Sequence, residues 1–278
     1  MTYKKILVPV DFSDCSYNAL EYALNFAESN EAKLVLLHAY HVPIPAAETG
    51  VYVDVNITDD FEEDIKKKIQ ELYQRYPQLE KLSDPYKVKV SFASDAILKE
   101  IEEHSYDLVI MGTHGATNTF DELVGSNTLH VVKGSGTPVL AIPYNFKGFK
   151  IEEILFAFDY RQIGTMKMVE PLVQFALNFG AQVHILHITD KLEKLHEGAI
   201  AEAKTLERYF KDISHTYQML EGEHIESGVL DYIETHDIDV LAVMPRKHTL
   251  FEKLFHSSVT KQLVHHSNIP LLAFHQEE

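Results

Sequence analysis

Hydrophobic runs and amphipathic stretches alternate along the whole chain. Runs such as Leu34-Val35-Leu36-Leu37 contain no polar position, as expected of a strand covered on both faces. Stretches such as Ala96 to His104 put Ile97, Leu98 and Ile101 on one face of a helix. The pattern predicts, for the first half, strand 4–10, helix 14–29, strand 33–40, helix 58–75, strand 86–92, helix 95–104, strand 107–111, helix 122–134 and strand 138–142. For the second half it predicts strand 153–158, helix 166–179, strand 182–188, helix 191–212, strand 216–220, helix 224–236, strand 239–244, helix 250–267 and strand 270–274. Alternation of this kind calls for parallel strands joined by right-handed crossovers. The expected fold class is α/β, as two doubly wound five-stranded parallel-sheet domains in tandem.

The tandem is visible as a repeat. Ile6-Leu7-Val8-Pro9-Val10-Asp11 is echoed by Ile154-Leu155-Phe156-Ala157-Phe158-Asp159, and Ala23-Leu24-Asn25-Phe26 by Ala176-Leu177-Asn178-Phe179. Leu37-His38 is echoed by Leu186-His187. In one ungapped register, His104, Asp107, Ser126, Thr128, Ser135, Pro138, Leu140 and Ala141 meet His236, Asp239, Ser258, Thr260, Ser267, Pro270, Leu272 and Ala273. So many identities point to duplication. The polar connector from Tyr144 to Lys150 sets the expected domains at 1–146 and 147–278. The stretch from His41 to Ile57, with Pro43, Pro45 and Gly50, is long for a bare connection and suits a cover over a site or partner surface.

The chemistry concentrates between the fourth strand and the helix after it. Gly112-Thr113-His114-Gly115 is followed, after nine intervening residues, by Gly125-Ser126. Glycine lets a backbone approach a ligand closely. A helix N-terminus adds unpaired N–H groups and a positive dipole end. Together they describe a cradle for phosphate oxygens. In an open parallel sheet the ligand site lies outside the carboxyl ends of the strands. Here those ends are Pro9-Val10-Asp11, His38-Ala39-Tyr40 and Met111-Gly112. Asp11 is placed to accept from an adenine amine or a ribose hydroxyl, or to cap the helix that follows.

Composition narrows the partners. The chain has 278 residues, 45% hydrophobic and 24% charged, with a net charge of −17. That balance argues against a nucleic-acid footprint and against adhesion to an anionic membrane. The single cysteine, Cys15, excludes an intrachain disulfide and fits a reducing compartment. Although a helix start can lower a thiol pKa, Cys15 has no evident base nearby and reads as an ordinary small residue. The first residues enter a strand without a signal-peptide core, and no apolar run reaches spanning length. A cytoplasmic location is expected.

These motifs resemble the universal stress protein family. The resemblance rests on Val8-Pro9-Val10-Asp11, Leu36-Leu37-His38, Asp107 through Gly112-Thr113-His114-Gly115 to Gly125-Ser126, and Thr137-Pro138-Val139-Leu140. It implies a Rossmann-like fold akin to the adenine nucleotide alpha hydrolases. It also implies ATP, alone or with Mg2+, held at Met111, Gly112, Gly115, Gly125, Ser126 and Asn127, with adenine near Pro9, Val10, Asp11 and Ala39. Asn127 stands where a small apolar residue is common. The family dimerises through its last strand, so a tandem chain can build an internal pseudo-dimer by pairing 138–142 with 270–274. A homodimer of whole chains stays open.

The second half departs from the motif. Gly112, Gly115 and Gly125 become Met244, Lys247 and Ser257, with Pro245 and Arg246 between. The expectation is that this half does not hold ATP by the same route. Arg246, Lys247 and His248 read as solvated loop charges or an anion contact. Neither His265-His266 nor His256 falls at a metal-ligand spacing, so no metal site is assigned. His38 and His187 read as residues of the fold, and His114 as a cradle residue able to meet phosphate when protonated. With no catalytic residue assigned, three readings stand: an ATP-binding stress-response module, a slow ATP hydrolase, and a nucleotide-free interaction scaffold.

Overall fold

The computed structural model describes residues 3–41, 56–114, 125–157, 169–189, 206, 208–221, 225–244 and 269–274. The first half contributes β1 (Lys5–Pro9), α1 (Asp14–Asn30), β2 (Lys33–Tyr40), α2 (Asn56–Arg75), α3 (Leu79–Leu82), β3 (Lys87–Val90), α4 (Ala93–Glu103), β4 (Leu108–Gly112), α5 (Ser126–Gly134) and β5 (Val139–Ile142). The second contributes β6 (Glu153–Ala157), α6 (Glu170–Phe179), β7 (Gln182–Thr189), β8 (His215–Glu221), α7 (Ile225–Thr235), β9 (Val240–Val243) and β10 (Leu271–Ala273). The sequence pattern missed only α3 among the described elements. The expected helix 250–267, most of 191–212, and the stretch 42–55 lie outside the described residues.

All ten strands form one sheet, ordered β3-β2-β1-β4-β5-β10-β9-β6-β7-β8. Every pairing is parallel except β5 with β10, which is antiparallel and sets Leu140 opposite Leu272. The two halves therefore share a sheet, and each keeps the same internal order about its own first strand. The central strands are buried along their length, Leu108–Gly112 without a break, because helices cover both faces. On one face α1, α3 and α6 enclose Ile6, Val8, Leu34, Phe156 and Phe175; on the other, α4 and α5 cover Leu7, Val35, Val109 and Met111. α7 extends the second layer over Leu155 and Leu186.

The repeat has a spatial meaning. Phe26 and Phe179, the last residues of the duplicated Ala-Leu-Asn-Phe motif, meet edge to face with ring centroids 5.1 Å apart. Tyr3, Phe149 and Phe175 complete this aromatic cluster. Aromatic rings bury large areas, and edge-to-face pairs add directional attraction. α1 and α6 thus weld the halves on one face while β5 and β10 join them in the sheet.

Candidate functional site

From β1 the chain moves outward through β2 to β3, then returns to β4 on β1's other side. The strand order reverses between β1 and β4, and a crevice opens at their carboxyl ends. Its wall is formed by Pro9 at the end of β1 with Val10 and Asp11 after it, Leu37 and Ala39 from β2, and Met111 and Gly112 at the end of β4 with His114 beyond. Asn127 and Thr128 close it from α5, Ala93 and Ile97 from α4, and Ser16 from α1. The space within this lining is about 520 Å³, the open solvent at its mouth included.

Seven of the expected site residues, Pro9, Val10, Asp11, Ala39, Met111, Gly112 and Asn127, meet in this wall. Gly125 and Ser126 do not line it; they form the head of α5 directly behind Asn127. Gly115 lies outside the described residues. Sequence reasoning missed Ser16, Leu37, Ala93, Ile97 and Thr128. Leu37 had a signal, since it precedes a strand end already chosen. Ala93 and Ile97 had none, because α4 reaches the crevice through its packing on β2 and α5.

The β1 end is held by short-range polar contacts. One Asp11 carboxylate oxygen accepts from the Ser13 N–H at 3.0 Å and the Ser13 hydroxyl at 2.5 Å. Ser13 is the residue that caps α1, its hydroxyl accepting from the Ser16 N–H at 3.2 Å. Asp11 therefore acts on the cap rather than as the cap. Between them Phe12 sits in the left-handed region at φ 64°, a conformation that costs a residue with a side chain free energy and recurs at functional sites. His38 donates from Nδ1 to the Val10 carbonyl at 2.7 Å and packs its ring on Phe12. Burial lowers the His38 pKa, against the raising effect of that bond. The imidazole is thereby kept as a neutral strut of the β1 end.

The glycine at the end of β4 has a reason that the motif did not disclose. A Cβ on Gly112 would lie 2.7 Å from Cys15 Sγ and 3.0 Å from the Cys15 carbonyl oxygen. Gly112 lets the start of α1 pack against β4, and the same bare backbone faces the crevice. Burial pushes the Cys15 thiol pKa up, outweighing hydrogen bonds from Thr113 and His114. Cys15 is a packing residue, not an activated thiol.

α5 begins at Gly125, which offers no side-chain cap, and its first turn carries no acidic residue. Its orientation is fixed by the Thr128 hydroxyl donating to the Gly112 carbonyl at 2.9 Å and by the Gly125 N–H donating to the Thr113 carbonyl. The first turn's remaining N–H groups form a positive dipole end beside the crevice.

A doubly wound α/β sheet with a helix N-terminus at its switch point defines the class. The chain belongs to the universal stress protein family, whose sequence model matches residues 2–143 and again 150–275. Universal stress protein MJ0577 of Methanocaldococcus jannaschii is 33% identical over 153 residues, covering 50% of this chain and 94% of that protein. Universal stress protein Slr1230 of Synechocystis is 23% identical over 291 residues, 98% of this chain and 99% of that one. The crystal structure of a universal stress protein from Archaeoglobus fulgidus superposes with a TM-score of 0.69 at 19% identity, covering 99% and 97% of the two chains. Among the described residues no helix is long and apolar enough to cross a membrane.

Proposed function

We propose that this chain is a nucleotide-dependent stress-response or regulatory module that binds one adenine nucleotide, ATP alone or with Mg2+, in a unit spanning 1–146. A second unit, 147–278, is a degenerate copy, and the two stand as an internal pseudo-dimer across the β5–β10 seam. The observation that carries this reading is the convergence of Pro9, Val10, Asp11, Ala39, Met111, Gly112 and Asn127 on one crevice beneath the uncapped start of α5. Val10, Leu37, Ala39 and Ile97 offer an apolar wall for a base. Asp11 offers an acceptor for an amine or a ribose hydroxyl. The backbone after Gly112 and the N–H groups of α5 offer donors to phosphate. Met244 takes the place of Gly112 in the second half and packs against the main hydrophobic cluster, which supports a single site.

The test is calorimetry with ATP, joined to mass spectrometry of the denatured purified protein. The expected stoichiometry is near one per chain. Ala39→Phe fills the crevice and should weaken binding by about tenfold or more with the fold retained, since a filled pocket excludes the base. Absence of any bound or added adenine nucleotide would sink the proposal, and two equivalent sites per chain would sink its single-site clause.

A further inference from the structure

Val10 is the first residue past β1, and β2 holds both of its backbone groups. Its N–H donates to the Leu37 carbonyl at 2.9 Å. Its carbonyl accepts from His38 Nδ1 at 2.7 Å. The first bond continues the strand ladder. The second puts a side chain where a ladder would use a backbone donor, so it depends on the residue type at 38. Side chains alternate along a strand. Leu37 and Ala39 line the crevice, while His38 lies on the other face of the sheet, with Leu36 on the α1 side. His38 is therefore not in the wall, yet it is bonded to a residue that is. Further contacts hold the imidazole there. Its ring packs on Phe12 at 4.7 Å and stacks on Tyr40 at 6.4 Å. From α2, the Lys68 ammonium lies over the Phe12 ring at 5.3 Å, and Phe61 stacks on Tyr40 at 6.3 Å.

We infer that His38 is a positioning residue of the nucleotide site, acting through the Val10 carbonyl from behind the crevice wall. This role rests on the adenine-nucleotide reading and names a residue that sets the affinity of that site. A peptide unit is planar, so the Val10 carbonyl and the Asp11 N–H and Cα move together. Holding the carbonyl fixes the plane from which the Asp11 side chain departs and the direction in which the chain enters the left-handed Phe12. Val10 and Asp11 then stand in one arrangement before a base and ribose arrive, and less ordering is left to binding. Burial holds the imidazole pKa below its ordinary value, so at pH 8 the ring is neutral and carries one N–H. A carbonyl only accepts, so that proton sits on Nδ1.

Calorimetric titration of the full chain with ATP and Mg2+ at pH 8 tests this in three forms: wild type, His38→Leu and His38→Asn. Leucine fills the space without a donor, and asparagine puts an N–H close to where Nδ1–H stood. Affinity should fall about tenfold with leucine, as when a carbonyl loses its partner, and asparagine should recover most of it. Leucine binding as tightly as wild type, or asparagine as weakly as leucine, overturns the inference. A second measurement needs no folded leucine variant. In wild type with isotope-labelled histidine, the His38 resonance, assigned by its loss in His38→Asn, should report the Nδ1–H tautomer. Exchange of that proton with solvent should slow when ATP saturates the site, because coupling between a contact and a ligand is reciprocal. An Nε2–H tautomer, or exchange unchanged by ATP, overturns the inference and leaves the nucleotide reading intact. Failure of wild type to bind ATP, with and without Mg2+, overturns the nucleotide reading itself.

Discussion

Asp107 and Asp239 occupy equivalent places in the repeat and do the same work. The Asp107 carboxylate accepts from the backbone N–H groups of Lys4 and Lys5 at 2.7 and 2.9 Å, and Asp239 accepts from those of Glu152 and Glu153 at 2.9 and 3.0 Å. Each ties the start of a half's first strand to the start of its fourth. Asp107→Ala should cost about 1–3 kcal/mol in chemical denaturation, because backbone donors lose a charged acceptor. Other residues matched by the repeat diverge. Glu100 is fully buried and receives Lys87, the Tyr106 hydroxyl at 2.7 Å, and Lys89 at 3.4 Å. Its counterpart Tyr232 bonds His184 and stacks on His236 at 3.8 Å. Burial pushes the Glu100 carboxyl pKa up, but hydrogen bonds from Lys87 and Tyr106 and the lysine's charge outweigh it, leaving the value lowered. A carboxyl depressed in the folded state stabilises it fully above the ordinary glutamate value of about 4.3, and that contribution is lost as pH falls through the lower folded value. Glu100→Gln should therefore be less stable at pH 7, with the gap to wild type closing as the pH drops below about 4. Parallel stability curves across that range would contradict this role.

At the scale of elements, the order and type of strands and helices followed from periodicity, while their ends and contacts did not: the expected strand 86–92 is Lys87–Val90, and the expected helix 122–134 starts at Ser126 because Gly125 is in extended backbone. The predicted strand 107–111 and helix 122–134 correspond to β4 and α5, yet the sequence could not show that α5 is tied to β4 by Thr128 and the Gly112 carbonyl. α3 escaped because four residues carry too little periodicity to register. Gly112 is the clearest case of a correct residue with an incomplete reason. Its motif position suggested close approach to a ligand, and the packing adds close approach to Cys15. Gly112→Ala should destabilise by about 1–3 kcal/mol, as overpacking does. Adding Cys15→Ala should recover only part of this in thermal melts, because the Cys15 backbone carbonyl is also within 3.0 Å of the new methyl.

At the scale of the molecule, the two halves share one sheet and one hydrophobic cluster. The β5–β10 ladder continues the sheet across the repeat, and the cluster of Tyr3, Phe26, Phe149, Phe175 and Phe179 continues the core. A core shared in this way should unfold as one cooperative unit. Phe26 is fully buried and touches rings from both halves. Phe26→Ala should cost about 3–5 kcal/mol and shift a single calorimetric transition. Two separate transitions, only one of them shifted, would show that the halves unfold independently.

The sequence by itself determined the α/β class, the duplication, and the strand ends where a ligand site could lie. Those properties are written in local periodicity and in residues that punctuate the backbone, so they survive reading in one dimension. Tertiary structure decided which of those ends converge, that Leu37, Ile97 and Thr128 join them, and why Gly112 has to be bare. It also placed Phe26 against Phe179 from the opposite half. These outcomes depend on distances between segments far apart in the chain, and the packing that sets such distances leaves no local mark on the residues it brings together.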